Sequence, residues 1–197
     1  MVINMFIIGV LALQGSVIEH TEMLNSIDGV EAVEVRTCED IATLSGIVLP
    51  GGESTTISKL LNDFEIMETL RRRIKEGMPV WGTCAGMILL AKNIIGEENS
   101  HLGLMDITVK RNAYGGQLDS FKTLINIPAV SNEEIPLIFI RAPWVESVED
   151  SVNILASIDD RIIAVEQDNM LATSFHPELT ANLSFHKYFA NKVINTN

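Results

Sequence analysis

The strongest constraint on how this chain can fold is a set of short, wholly apolar runs, each closed by glycine, proline or a polar turn and followed by an amphipathic stretch. Phe6 to Leu13, Gly46-Ile47-Val48-Leu49 and Pro79-Val80-Trp81 have no polar face to offer water, so as strands they must be covered on both sides, as in a parallel sheet flanked by helices. The intervening stretches supply the cover. Val17 to Ile27, with Val17, Leu24 and Ile27 near helical spacing, the region through Lys59, Leu60 and Leu61, and Ile66 to Glu76 before Gly77 all read as helices. Val33 to Arg36 adds a second strand, and Ala85 to Ile95 is apolar enough to predict a helix buried under the sheet. This alternation is that of βαβ units.

After Gly103 the pattern changes. Met105 to Lys110, Phe121 to Ile127 and Leu137 to Ile140 lie close together and suggest antiparallel additions. Arg161 to Gln167 and Met170 to Ser174 form a hairpin across Asp168-Asn169, which suits a type I′ turn. An amphipathic helix from Ala181 to Val193 closes the chain. With no repeat or linker, residues 1–197 read as one α/β domain.

Charge removes some functions. Fourteen Lys and Arg stand against 26 Asp and Glu, a net charge of −12, the wrong sign for a phosphate backbone, so nucleic acid is not an expected partner. The apolar run Met5 to Leu13 is roughly half of the ~20 residues that cross a bilayer. No basic residue precedes Arg36, so a secretory signal is not expected either. The expected setting is cytoplasmic. Cys38 and Cys84 make no CxxC pair, and His20, His101, His176 and His186 make no metal pattern, so neither metal nor cofactor is expected. Pro50-Gly51-Gly52-Glu53-Ser54-Thr55-Thr56 lacks the G-K-[ST] of a P-loop, and Gly9 to Gly15 fails G-x-G-x-x-G.

Chemistry concentrates at Gly82-Thr83-Cys84-Ala85-Gly86, a G-x-C-x-G set between strand and helix. In the related G-x-S-x-G elbow the nucleophile sits on a strained turn whose flanking glycines avoid collisions. A free cysteine is ordinarily a small buried apolar residue, and Cys38, without an elbow, reads as that. Cys84 reads as a nucleophile. Ser174-Phe175-His176-Pro177-Glu178 leaves the hairpin's second strand at the carboxyl edge of the sheet. Pro177 biases His176 to an extended backbone, in which residues i and i+2 share a side. Glu178 can then orient His176, which serves Cys84 as base and later as acid.

Attack on an amide makes an oxyanion. Its expected donors are the N–H of Ala85, after the nucleophile, and that of Gly52 in the bare Pro50-Gly51-Gly52 loop. That loop also reads as a capping turn for the following helix, with Ser54 or Thr55 as N-cap. Arg111 and Arg141, each at a strand end, are candidates to grip a substrate carboxylate, or else solvated caps.

Taken together these residues resemble the class I, or triad, glutamine amidotransferases, and within them the glutaminase subunits of pyridoxal 5′-phosphate synthases. The likeness spans nearly the whole chain. It is carried by Gly9 to Gly15, Pro50 to Thr56, Gly82 to Gly86 with Leu89-Leu90-Ala91-Lys92, His101 to Leu104, Arg111-Asn112 with Asp119-Ser120-Phe121, Ile140 to Pro143 and Ser174 to Thr180. The resemblance implies a flavodoxin-like fold and a Cys84, His176, Glu178 triad. It also implies glutamine contacts from Gly52, Glu53, Ser54, Arg111, Ile140 and Arg141, with Gln14 near the oxyanion site where a synthase docks. It implies hydrolysis of L-glutamine, the ammonia passing to a separate (β/α)8-barrel synthase that makes pyridoxal 5′-phosphate. The glutaminase is expected to work poorly until that partner binds. Two departures stand out: Met1 to Asn4 precede the expected start, and Gly116, in Tyr114-Gly115-Gly116-Gln117, replaces a usually basic residue. The rival readings are a glutaminase subunit of another amidotransferase, against which Glu53-Ser54-Thr55 argues, and a stand-alone cysteine hydrolase on the same scaffold. A binding subunit without catalysis is a third.

Overall fold

A computed structural model describes residues 5–111 and 120–196, so the readings that fall on Met1 to Asn4 and on Tyr114 to Gln117 lie outside the described residues. The apolar runs form strands that alternate with helices: β1 (Phe6–Leu11), α1 (Val17–Asn25), β2 (Val30–Val35), α2 (Cys38–Ala42), β3 (Gly46–Leu49), α3 (Ser54–Asp63), α4 (Ile66–Lys75) and β4 (Val80–Thr83). Then come α5 (Ala85–Leu90), β5 (Ala91–Ile94), β6 (Met105–Lys110), β7 (Ser120–Asn126), β8 (Glu134–Ile140), β9 (Trp144–Val148), β10 (Asn153–Ile158), β11 (Arg161–Gln167), β12 (Met170–Thr173) and α6 (Ser184–Thr196).

The large sheet runs β2-β1-β3-β4-β12-β11-β9-β6-β5, with β10 on β11, while β7 and β8 pair separately. From β2 to β12 every pairing is parallel, so β1, β3, β4 and β12 release their chains at one edge. Beyond β12 the pairings to β11, β9 and β6 are antiparallel. The sheet is thus mostly parallel at its centre with antiparallel additions, as expected.

The inner strands are buried on both faces, as their apolar runs require, and successive residues feed opposite cores. Leu11, Ile47, Leu49 and Val80 join the core under α2 to α5. Ile8, Val10, Val48 and Trp81 join the other, with Leu24 of α1 and Phe185 and Phe189 of α6. No described helix is long and apolar enough to cross a membrane.

Several elements differ from expectation. The predicted helix Ala85 to Ile95 stops at Leu90, and residues 91–94 become β5, parallel to β6. The backbone N–H groups of Leu102 and Leu104 take the carbonyls of Leu89 and Leu90 at 2.9 Å, ending the helix, while Lys92 pairs with Asp106 on β6. A short apolar run does not by itself tell helix from strand. At Asp168-Asn169 only Asp168 takes a positive φ, 51°, so the turn is not the type I′ that needs two. The last helix begins at Ser184, whose N–H is capped by Asn182 Oδ1 at 2.9 Å. β2 begins earlier than expected, at Val30. The short α2, held by a capping box between Thr37 and Asp40, and strands β9 and β10 were not foreseen.

Candidate active site

Cys84 stands between β4 and α5 at φ 48°, ψ −101°, a conformation that costs a non-glycine residue of order 1–3 kcal/mol and persists only when its surroundings enforce it. They do so on both sides. A Cβ on Gly82 would strike the backbone of Gly86, and one on Gly86 would strike the carbonyl of Leu49 at the end of β3. The Cys84 N–H is also pinned to the Thr173 carbonyl of β12 at 2.8 Å. The expected glycine spacing is thus a packing requirement, and it presents the sulfur to a cavity.

His176 follows β12 along that same edge. Its Nδ1 lies 2.8 Å from Glu178 Oε1, the pair foreseen from the sequence but by another route. Residues Pro177–Leu179 form a 3₁₀ turn rather than continuing extended, so the side chains meet across the turn. Burial works against a charged imidazole here. Hydrogen bonds to Cys84 and Glu178 and attraction to both outweigh it, and His176 is raised to about 10. Burial likewise opposes ionisation of Glu178, but His176 and His20 more than compensate and hold its carboxyl below the ordinary range.

Two loops wall the site beside the cysteine, at the point where the sheet order reverses around β1 and β3. Ser16 N–H donates to the Gly51 carbonyl at 3.1 Å, and Glu53 N–H donates to Gln14 Oε1 at 2.7 Å. Gly51 must be bare for the same reason as Gly82 and Gly86: any Cβ there would enter the His176 ring, with the Cys84 side chain close behind. Gly52, Ser54 and Ala85 complete this wall. The Ser54 hydroxyl is buried without a hydrogen-bond partner among the described residues.

Opposite them, Arg111 at the end of β6 points its guanidinium at two carboxylates, Glu53 Oε1 at 2.8 Å and Glu97 Oε1 at 2.6 Å. Arg141, just past β8, takes a positive φ of 43°. β8 is tied to His176, whose N–H donates to the Ile138 carbonyl at 2.8 Å. Ile140 and Arg141 line the same cavity of about 460 Å³ as Cys84, His176, Gln14 and Arg111. Of the residues singled out from the sequence, Glu178 alone does not line it, standing behind His176.

Three residues beside the site carry little signal in the sequence. Gly51 reads only as part of a bare loop, and nothing in the sequence marks Glu97. His20 fits no metal pattern, yet it falls three residues after Val17 on the apolar stripe of α1, an ionisable group where an aliphatic one belongs. Cys38 is half-buried, with its sulfur 3.4 Å from the Glu65 carbonyl. Among the described residues no group of three or more His, Cys, Asp or Glu could hold a metal ion.

Known proteins share both sequence and shape with the chain. Residues 10–195 match the SNO glutamine amidotransferase family. The pyridoxal 5′-phosphate synthase subunit PdxT of Thermoanaerobacter sp. (strain X514) is 57% identical over 182 residues, covering 92% of this chain and 96% of that protein. The PdxT of Ruminiclostridium cellulolyticum is 54% identical over 186 residues, 94% and 98% of the two chains. A crystal structure of a glutamine amidotransferase superposes with a TM-score of 0.89 at 42% identity, covering 94% of this chain and 98% of that one.

Proposed function

The chain belongs to the SNO glutamine amidotransferase family, and from that premise we propose a mechanism in which Cys84 is its nucleophile. It hydrolyses L-glutamine to L-glutamate and ammonia, as a subunit working with a partner synthase that uses the ammonia to build pyridoxal 5′-phosphate. The observation that carries the reading is Cys84, on its strained elbow, facing His176 that is itself paired with Glu178.

The reaction runs in two halves. Cys84 Sγ attacks the side-chain amide carbon of glutamine, and its proton resides on His176. The oxyanion is met by the N–H groups of Ala85 and Gly52. Collapse breaks the C–N bond, His176 protonates the departing nitrogen, and ammonia leaves a thioester on Cys84. Water then attacks the thioester with His176 as base, releasing glutamate and restoring the thiol. Glu178 keeps His176 Nδ1 protonated throughout, so that Nε2 does the transfer.

Recognition falls to the rim. Arg111 and Arg141 suit the α-carboxylate of glutamine, Glu53 suits its α-ammonium, and Ser54 and Ile140 line the path of the side chain. Gln14, which fastens the two loops beside the oxyanion position, lies where a (β/α)8-barrel synthase docks and couples binding to alignment. The two cores that share one sheet support reading residues 1–197 as a single glutaminase domain.

Glutamate release measured with and without the synthase tests this. We expect appreciable turnover only in the complex, and Cys84→Ala to abolish it. Full activity of the isolated chain would make it a stand-alone hydrolase, and activity that survives Cys84→Ala would remove the cysteine from the mechanism.

A further inference from the structure

Behind the proposed triad lies a buried polar chain to which that mechanism gives no task. Glu178 uses Oε1 for His176, while Oε2 is buried and makes no hydrogen bond among the described residues. His20 Nε2, from α1, lies 3.4 Å from it. That nitrogen also stands 3.3 Å from Thr83 Oγ1, on the residue immediately before Cys84. His20 Nδ1 in turn is 2.9 Å from His186 Nε2, on α6. His20, Thr83 and His186 have no exposed surface. The Trp81 ring lies edge-on to both imidazoles, at 5.5 and 5.0 Å. A polar cluster placed so deep must be satisfied internally.

The contacts admit one proton arrangement without a conflict. Two facing imidazole nitrogens share one hydrogen. Were it on His20 Nδ1, neutral His20 would turn a bare lone pair at Nε2 toward the Glu178 carboxylate, and His186 Nδ1, which has no partner, would carry a buried donor with nothing to receive it. Placed on His186 Nε2 it leaves the proton of His20 on Nε2, which bonds Thr83 and lies 3.4 Å from Glu178 Oε2. Burial, more than the opposing pull of Glu178, disfavours a charged His20, which keeps it neutral with a single N–H. Every donor then points one way: His186 to His20, His20 to Glu178, and His176 to the other oxygen of Glu178.

We propose that His20 is a positioning residue for Cys84 chemistry: its Nε2–H is the second donor to Glu178, and with His186 behind it fixes the direction of the hydrogen-bond chain that orients His176. At 3.4 Å the contact is long for a hydrogen bond, as such bonds often are before substrate aligns a site. His20 never touches substrate. It removes the rotational freedom that a carboxylate held by one oxygen retains, and α1 thereby connects the loop that carries Gln14 to the back of the triad.

The kinetic half of the test rests on the glutaminase reading; the spectroscopic half does not. In the chain labelled with ¹⁵N-histidine at neutral pH, we expect His20 and His186 both as neutral Nε2–H tautomers. A proton on His20 Nδ1, or a cationic His20, overturns the proposal. In the complex with the synthase, His20→Leu should lower kcat for glutamine roughly tenfold or more at unchanged KM, the scale of a lost hydrogen bond to a charged group. His20→Gln, which returns an N–H near the place of Nε2, should recover most of that loss. Equal rates for Leu and Gln would show that His20 only fills space, and would overturn the proposal even if both fold. Should His20→Leu fail to fold, a His20→Gln rate within a few-fold of the parent supports the proposal and a larger loss rejects it. If the parent complex releases no glutamate, the substrate reading fails while the tautomers still decide this one.

Discussion

Behind Cys84 every polar group is sealed: the side chains of Glu178 and His20 have no exposure, and that of His176 has 9%. On the rim the Arg111 side chain is a quarter exposed, and the Glu53 side chain it holds is 56% exposed. The same kind of contact, cation to carboxylate, has different consequences in the two places. A half-solvated pair contributes on the order of 0–1 kcal/mol, so under the proposed recognition an incoming α-carboxylate would displace Glu53 from Arg111 at little cost. A buried pair that loses one partner leaves a charge stranded, at a cost of roughly 3–5 kcal/mol. On the proposed mechanism the fold itself holds the reacting groups, while the groups proposed to recognise substrate can still exchange partners.

That contrast can be attacked directly. Glu178→Gln keeps the shape of the inner wall but removes its charge, and turnover in the complex should fall on the order of 10⁴-fold, as it does when the carboxylate of a serine triad is neutralised. A rate near that of the parent would mean that something other than Glu178 orients His176. On the rim, Arg111→Ala should cost about 10- to 100-fold in kcat/KM, through KM, the range for one or two hydrogen bonds to a charged group; a loss confined to kcat would place Arg111 among the groups that act at the transition state.

The smallest effect concerns stability and pH. Burial, with a lesser push from His20, lowers His186 to about 3. A group whose folded value lies below its unfolded one, near 6.5 for histidine, contributes stability that is present above pH ~6.5 and is lost as pH falls toward the folded value. The urea midpoint should therefore drop between pH 7 and 5. His186→Phe, which keeps an aromatic ring against Trp81 and cannot titrate, should make that drop shallower. An unchanged slope would show that the inner wall admits water and protons.

The two walls were also unequally legible in the sequence. Cys84 was readable because a collision imposes its signature: Gly82 and Gly86 must be bare, and glycine is visible in any sequence. His176 and Glu178 were readable as a pair because two residues separate them, although the turn that joins them is 3₁₀ and not extended. Their link to His20 was not readable. Its partners lie 63 and 166 positions away along the chain, and only the fold of α1 and α6 onto one face of the sheet brings them together. Glu97 was hidden for a related reason, since the segment leading to it was read as helix where β5 intervenes. Apolar content placed α5 in the core correctly, but could not say that Leu102 and Leu104 would claim its last carbonyls.

The position of β12 has a consequence for how the protein is made. β12 lies beside β4, where the Trp81 indole N–H donates to Thr173 Oγ1 across 92 positions of sequence. A ribosome therefore delivers Cys84 long before the segment that pins its backbone and the histidine proposed to serve it. Through most of synthesis the sheet is unfinished, and the proposed triad is assembled late, when β12 closes the gap between β4 and β11.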